Sequence, residues 1–558
     1  MKNLFKPNAF YFTPLGGSEE FGTNLNLYVC NNEFLAIDCG IGFADDRFPG
    51  IDLLLPNPQL LEENKDRLKG IVITHAHEDH IGAVAYLWER FKCPLYASPF
   101  TASVLRKKLE EQGLSDAKIN IIKPDSSIQV GAFHLTFLPV SHSVPDSCAV
   151  FIETEHGNVL HSGDWNLDHS PVIGEKTEEA RFRSLAEKGV LAYIGDSTNA
   201  QVNGYAGSES DVSTGMEKEF KQHSGKIVVT IFASNIGRLV SIARAAEKSG
   251  RSVVLIGRSL HRMSSCAREC GYLDNDIPDF LSEDDLDHIP DDQIVLVVTG
   301  SQGEHRAALA RISRGDHRSA KLTKGDTVIF SSRAIPGNDR RINTVKNDLI
   351  ASGVQVVTPE DTKNTIHVSG HPCREEISTI LQWIRPQCVI PVHGERLQLD
   401  AHAKLAEDCQ VNQTIVPCNG SVIRLAPDNP EIIDHVETGL LAVDLRRIIP
   451  ATHQSITARR KLQYSGTVHA SLVLNQDLHV LGEIKIDTVG ISCTRSDDCI
   501  TDDLRAEIQR ILQDLQEDGI SRHEDELAEQ VRIGLRRYVI DMLGLKPKTT
   551  IHITVLDI

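Results

Sequence analysis

Short apolar runs that end in polar clusters recur through the first 200 residues. FLAID (34–38), GIVITH (70–75), HLTFLPVSH (134–142), NVLHSGD (158–164) and LAYIGDS (191–197) each predict a buried strand whose C-terminal end delivers Asp or His into a loop. Between about 206 and 364 the pattern changes. KIVVTIF (226–232), SVVLIG (252–257), IVLVVTG (294–300) and TVIFSS (327–332) alternate with helical stretches such as RLVSIARAAEKSG (238–250). That alternation predicts βαβ units and a parallel sheet. From 365 to 425 the first pattern returns: IHVSGH, a helix with Ile377, Ile380, Leu381 and Ile384 on one face, then CVIPVHGE. A linker (426–454) leads to a last unit from about 455. It combines a strand, amphipathic helices near 503–517 and 524–543, and the alternating strand IHITVLDI (551–558). No internal repeat is visible.

Composition narrows the class. The chain has 558 residues, room for three to four domains of about 150 residues each. With 41% hydrophobic and 24% charged residues it reads as globular, which excludes collagen-like, low-complexity and wholly disordered chains. A net charge of −19 argues against a non-specific nucleic-acid coat protein, though not against a local basic groove. Residues 301–346 hold ten Lys and Arg against four Asp and Glu, whereas 271–292 hold nine acids and no Lys or Arg. Twelve scattered cysteines with no Cys-x-x-Cys pair fit a reduced, intracellular setting. MKNLFKPNAF lacks a signal-peptide core, and no apolar run approaches the roughly 18–20 residues of a membrane span. The expectation is a soluble, cytoplasmic, multidomain protein with no membrane association.

The strongest chemical signal is His75-Ala-His77-Glu-Asp79-His80, directly after a predicted buried strand. Imidazole and carboxylate suit Zn²⁺ or a similar divalent ion. Four groups at that spacing crowd one ion, so His75 with His77 and Asp79 with His80 divide more easily between two. His142, Asp164 and His393 stand at other strand ends. Three ligands per ion and one bridging carboxylate leave open positions, the mark of a catalytic rather than a structural site.

These motifs resemble the metallo-β-lactamase fold. Further ones are similar, in order and along nearly the whole chain, to the ribonuclease J family of β-CASP nucleases: LGGSEEFGTN (15–24), PVSHSVPDSCAVFIET (139–154), HSGDWNLD (161–168), GDSTNA (195–200), FASN (232–235), GRS (257–259), HVSGH (367–371) and PVHGE (391–395). The resemblance implies an α/β fold: a metallo-β-lactamase αββα sandwich (1–205 and 365–425), an inserted β-CASP parallel-sheet α/β domain (206–364) and, after the linker, a small α+β C-terminal domain (455–558). His75, His77 and His142 would hold one ion, and Asp79, His80 and His393 the second, with Asp164 bridging. The ions would be Zn²⁺ first, with Mn²⁺ or Mg²⁺ as alternatives. Asp38 would orient a histidine ligand. Asp196 and His371 would form the acid/base pair, Asp196 as donor and His371 as acceptor, the reverse being chemically open. Ser234, Asn235, His367, Val368, Ser369, Gly370 and His371 would bind substrate phosphates.

The implied activity is metal-dependent 5′-to-3′ exonuclease and endonuclease cleavage of RNA in processing and mRNA decay, preferring 5′-monophosphorylated single strands. The C-terminal domain would serve a homodimer or homotetramer. A DNA-directed relative tends to carry Val where this chain has His393. A small-molecule hydrolase would not need the insertion or HVSGH, and a non-catalytic scaffold would have lost ligands. One departure is the linker ETGLLAVDLRRIIPA (437–451). Some relatives bind a structural calcium between that region and the 45–52 loop, and Asp444 is the matching carboxylate here.

Overall fold

The computed structural model describes residues 4–274, 276–335, 337–491, 497–517 and 523–557. The chain forms two compact units. One takes in the chain up to Phe43 and from Leu53 to Leu441, the other Ala44–Asp52 and Ala442 onward.

The larger unit is built on two stacked mixed sheets. The first has eight strands in the order Glu431–His435, Ser421–Ala426, Phe10–Gly16, Leu25–Cys30, Glu33–Ile37, Leu68–Ile73, Leu95–Ala97 and Ile119–Ile121. The second has seven, in the order Gln413–Thr414, Cys388–Val392, Ala192–Asp196, Gly157–His161, Cys148–Thr154, Phe133–Pro139 and Ser127–Val130. Phe12, Leu35 and Val72 from one sheet meet Phe133, Val150, Ile194 and Ile390 from the other, all fully buried. Strand alternation serves two cores. Val150 and Ile152 face the partner sheet. Ala149 and Phe151 face outward with Phe182, Leu185, Ile377, Ile380, Leu381 and Ile384 of the covering helices. Helix Pro99–Glu111 packs on the far edge of the first sheet. This is the αββα sandwich the motifs imply. The predicted strands end one to three residues early, because their last polar residues leave the ladder for the loops.

Between the two stretches of sandwich, Ser252–Ile256, Ile294–Val298, Ile227–Thr230, Thr327–Phe330 and Gln355–Val357 form a five-stranded sheet, in that order. All its pairings are parallel, as the βαβ alternation predicts. The chain then returns: Cys388–Val392 pairs with Ala192–Asp196, and Ser421–Ala426 with Phe10–Gly16. The segment expected as a linker contributes Glu431–His435 to the edge of the eight-stranded sheet.

In the smaller unit, Lys485–Val489, Thr467–Asn475 and Lys548–Leu556 form a sheet in that order. Helices Asp497–Glu517 and Glu524–Leu543 share a core with it through Leu504, Ile508, Leu527, Val531, Leu535 and Val539. The unit also holds helix Gln454–Ser465, which the hydrophobic pattern does not announce because Ile456 is its one buried residue. Asp444 accepts hydrogen bonds from Arg459 at 2.8 Å and Arg447 at 3.3 Å, so this carboxylate is balanced by two guanidinium groups. No helix among the described residues is long and apolar enough to cross a membrane.

Candidate metal centre

The reactive residues stand just past the C-terminal ends of strands in both stacked sheets. Asp38 follows Glu33–Ile37, His75 follows Leu68–Ile73, and His142 and Asp164 follow Phe133–Pro139 and Gly157–His161. Asp196 closes its strand, and His393 follows Cys388–Val392. Asp38 (φ 64°) and His393 (φ 57°) adopt left-handed backbone, a conformation costly for such residues and concentrated at functional sites. Two glycines let the loops close in. A Cβ on Gly40 would lie 1.6 Å from the Asp79 carbonyl oxygen, and one on Gly370 would lie 2.9 Å from the His142 ring.

Two donor sets share Asp164. His75, His77 and His142 converge with it on one side, and Asp79, His80 and His393 on the other. His77 Nδ1 faces His75 Nε2 and His142 Nε2, each at 3.1 Å. Asp164 Oδ2 lies 3.3 Å from His80 Nε2, 3.5 Å from His75 and His393 Nε2, and 3.8 Å from His142 Nε2. Asp79 Oδ2 is 3.6 Å from His80 and His393 Nε2.

The rings are oriented from behind. His80 Nδ1 donates to Asp38 Oδ2 at 2.8 Å, and Asp38 also accepts from the Thr74 amide and hydroxyl. His142 Nδ1 donates to the Gly370 carbonyl at 2.7 Å. His393 Nδ1 lies against the Asn24 side-chain amide, 3.0 Å from its nitrogen and 3.2 Å from its oxygen, and with Nε2 turned to the centre it donates to the oxygen. Each such bond fixes the tautomer and turns the other nitrogen's lone pair to the centre.

These residues fit divalent cations. Ring nitrogens of His75, His77 and His142 meet at 3.1 Å, and Asp164 Oδ2 is buried with no hydrogen-bond partner. Ligands about 2.0–2.1 Å from one tetrahedral ion stand about 3.3 Å apart, close to the separations here. Electrostatics agree. Burial drives the His77 and His142 imidazoles down to about 3 and His75 well below its usual range. Burial alone would raise Asp164, but His393, His80 and His371 hold it well below the ordinary carboxylate range. His75, His77 and His142 are thus neutral imidazoles, whereas at His80 and His393 burial is outweighed by the neighbouring Asp164 and the imidazoles are raised, a positive charge that bound cations would replace.

Beside it, His371 Nδ1 donates to Asp196 Oδ2 at 2.8 Å and lies 3.7 Å from Asp164 Oδ2. Burial lowers His371, yet Asp196 and Asp164 outweigh it and lift the imidazole to about 9. The other Asp196 oxygen accepts from the Thr198 amide and hydroxyl. Next to His371, Ser369 Oγ accepts from Asn199 Nδ2 at 2.8 Å and from the His371 amide at 3.1 Å, leaving its own proton to donate. Asn235 caps helix Ile236–Lys248, its side chain accepting from the Arg238 amide, and Ser234 precedes it, half-buried. Arg238 joins these to the 367–371 loop: its guanidinium donates to His367 Nδ1 and to the carbonyls of Ser331 and Val368.

Arg238, Glu209, Thr74, Asn24 and Asn199 were not singled out from the sequence. Asn24 and Asn199 lie inside quoted motifs, which was the available signal. Arg238 and Glu209 carried none, since an Arg in an amphipathic helix ordinarily faces water.

Comparison with known proteins gives a consistent result. The family models that match are "Metallo-beta-lactamase superfamily" over residues 26–188, "Ribonuclease J, beta-CASP domain" over 224–349, "Zn-dependent metallo-hydrolase RNA specificity domain" over 360–417 and "Ribonuclease J C-terminal domain" over 454–556. Ribonuclease J of Sinorhizobium meliloti is 40% identical over 562 residues, covering 99% of this chain and 98% of that protein. Ribonuclease J of Synechocystis is 35% identical, covering 87% and 76%, and that of Thermus thermophilus 36% identical, covering 83% and 82%. A crystal structure of an Enterococcus faecalis protein of unknown function shares the fold, with a TM-score of 0.52 at 17% identity over 75% of this chain and 100% of that one. With a relative 40% identical over 99% of its length and a family match in each of its major parts, the chain belongs to the ribonuclease J family of the metallo-β-lactamase superfamily.

Proposed function

We propose that this chain is a metal-dependent ribonuclease that digests RNA from the 5′ end and also cuts internally, serving RNA processing and mRNA decay in the cytoplasm. The observation that carries the reading is Asp164 Oδ2, ringed by the ligand nitrogens of both donor sets and lying beside the His371–Asp196 pair. The relatives named Ribonuclease J support RNA as the substrate. Two Zn²⁺ ions, or Mn²⁺ or Mg²⁺ in their stead, would be held by His75, His77 and His142 and by Asp79, His80 and His393, with Asp164 between. Divalent cations there supply Lewis acidity towards a phosphodiester and activate water.

The chain's own groups do the rest. Both Asp196 oxygens already accept hydrogen bonds, Oδ2 from the His371 ring, so hydrogen bonding favours His371 as the group that gives a proton to the leaving 3′-oxygen, with Asp196 orienting it. That reverses the expected donor and acceptor. Ser369, with its free proton, and His367, Val368, Gly370, Ser234 and Asn235 bind phosphate and bring the 5′-monophosphate end to the centre. The domain divisions at 205/206, 364/365, 425/426 and 454/455, and a homodimer or homotetramer formed through the C-terminal domain, belong to the same reading.

Incubating 5′-labelled RNA with the protein, with and without chelator, tests it. Mononucleotide release that stops with chelator is expected. Cleavage indifferent to chelator, or of DNA in place of RNA, would overturn it.

A further inference from the structure

The C-terminal unit holds a groove of about 560 Å³ between helix Gln454–Ser465, helix Glu524–Leu543 and the start of strand Lys548–Leu556. Its charged lining is entirely cationic: Lys461, Arg532, Arg536, Lys546 and Lys548. This contrasts with its surroundings, since residues 454–558 carry 13 Lys and Arg against 17 Asp and Glu. Arg532 is paired with Glu529 at 2.6 Å. Lys461, Lys546 and Lys548 are exposed, and among the described residues they and Arg536 have no carboxylate partner. Arg536 Nε is buried with no hydrogen-bond acceptor. Lys461, Arg536, Lys546 and Lys548, with no carboxylate to answer them, repel one another in one cavity, an arrangement that an anion relieves. Tyr464, three residues on from Lys461 in the same helix, is 75% exposed and offers a ring on which a base can stack.

We propose that this groove is a second RNA-binding site, which grips the sugar-phosphate backbone of a single-stranded segment while the metal centre acts elsewhere on the same chain. The inference rests on RNA being the substrate. It adds a contact remote in sequence from every residue of the metal centre. A lining whose charged groups are all Lys and Arg suits a backbone of repeating phosphates rather than one particular base. The site therefore raises affinity for long RNA without imposing sequence, and the affinity depends on salt.

The test uses the full-length protein and the variant K461A/K546A/K548A, whose three side chains are exposed and outside the metal centre. Binding of a fluorescent 40-nucleotide and a 5-nucleotide RNA is titrated across salt concentrations, with cleavage of both followed in parallel. For the long RNA, the variant should bind about tenfold more weakly at low salt, with a salt slope shallower by roughly two for three lost single-strand phosphate contacts. Its cleavage of the 5-nucleotide RNA should match the parent's. Equal long-RNA affinity and equal slope in a variant of unchanged Tm would overturn the proposal. A changed mass in solution with RNA binding intact would also overturn it, marking the groove as a protein contact. Failure of the parent to cleave even the short RNA would sink the ribonuclease reading itself and is read independently.

Discussion

Arg238 Nη1 donates to His367 Nδ1 at 3.2 Å, linking a fully buried guanidinium of the inserted domain to the loop beside the metal centre. Glu209 holds the opposite edge of the same guanidinium, accepting at 2.7 and 3.0 Å. A lysine cannot reproduce that fork. Arg238→Lys is therefore expected to lower kcat/KM on 5′-monophosphorylated RNA at least tenfold with metal content unchanged, measured by steady-state kinetics beside elemental analysis. Arg238→Met should lower Tm, and adding Glu209→Gln should recover part of the loss, because the carboxylate would otherwise stay uncompensated. Parent-like kinetics in Arg238→Lys would show that the loop holds its shape unaided.

Metal removal should abolish RNA cleavage, and readdition of Zn²⁺ or Mn²⁺ should restore it. His77→Ala should lose bound metal and turnover while keeping its circular dichroism spectrum. Asp38→Ala should weaken metal affinity about 10–100-fold, since His80 loses the carboxylate that orients it. Stoichiometric metal in His77→Ala would contradict the ligand assignment.

Asp196→Asn should slow single-turnover cleavage by about 10²–10⁴-fold while RNA affinity stays within a few-fold of the parent. The amide cannot stabilise a protonated His371 as the carboxylate does. Weakened binding with an unchanged rate would move Asp196 from chemistry to substrate contact.

Matched RNAs with 5′-monophosphate, 5′-hydroxyl and 5′-triphosphate ends should be digested at different rates, the monophosphate fastest. A closed pocket built from Ser234, Asn235, His367 and Ser369 would leave the triphosphate's extra charge unpaired. Ser234→Ala with Ser369→Ala should erase the difference. Equal rates on all three ends in the parent would reject end recognition.

Burial, and then the charge of Arg238, depress the His367 imidazole to about 3. A histidine whose folded pKa lies below its unfolded value, 6.5, stabilises the fold above 6.5 and loses that contribution as pH falls from 6.5 towards 3. The Tm advantage of the parent over His367→Gln should accordingly shrink between pH 8 and pH 5. A difference constant across that range would mean that His367 titrates normally.

Much of this protein was readable from local pattern. Apolar runs such as FLAID and NVLHSGD put Asp38 and Asp164 at strand ends, because a buried strand must stop where a charged side chain needs water or a ligand. The βαβ alternation from 206 gave a parallel sheet for the same reason of period and length. The motifs named the seven metal-ligand candidates. What they could not supply was convergence. His75 and His393 approach the same Asp164 oxygen across hundreds of residues, and only the stacking of two sheets decides that. Nor could they show that both Asp196 oxygens accept hydrogen bonds, Oδ1 from Thr198 and Oδ2 from His371. The burial of Arg238 and the cationic groove around Lys461 and Arg536 were likewise silent in the sequence. Charged side chains at helical spacing look the same whether they face water, a carboxylate or a cavity, and only the packing of distant segments determines which.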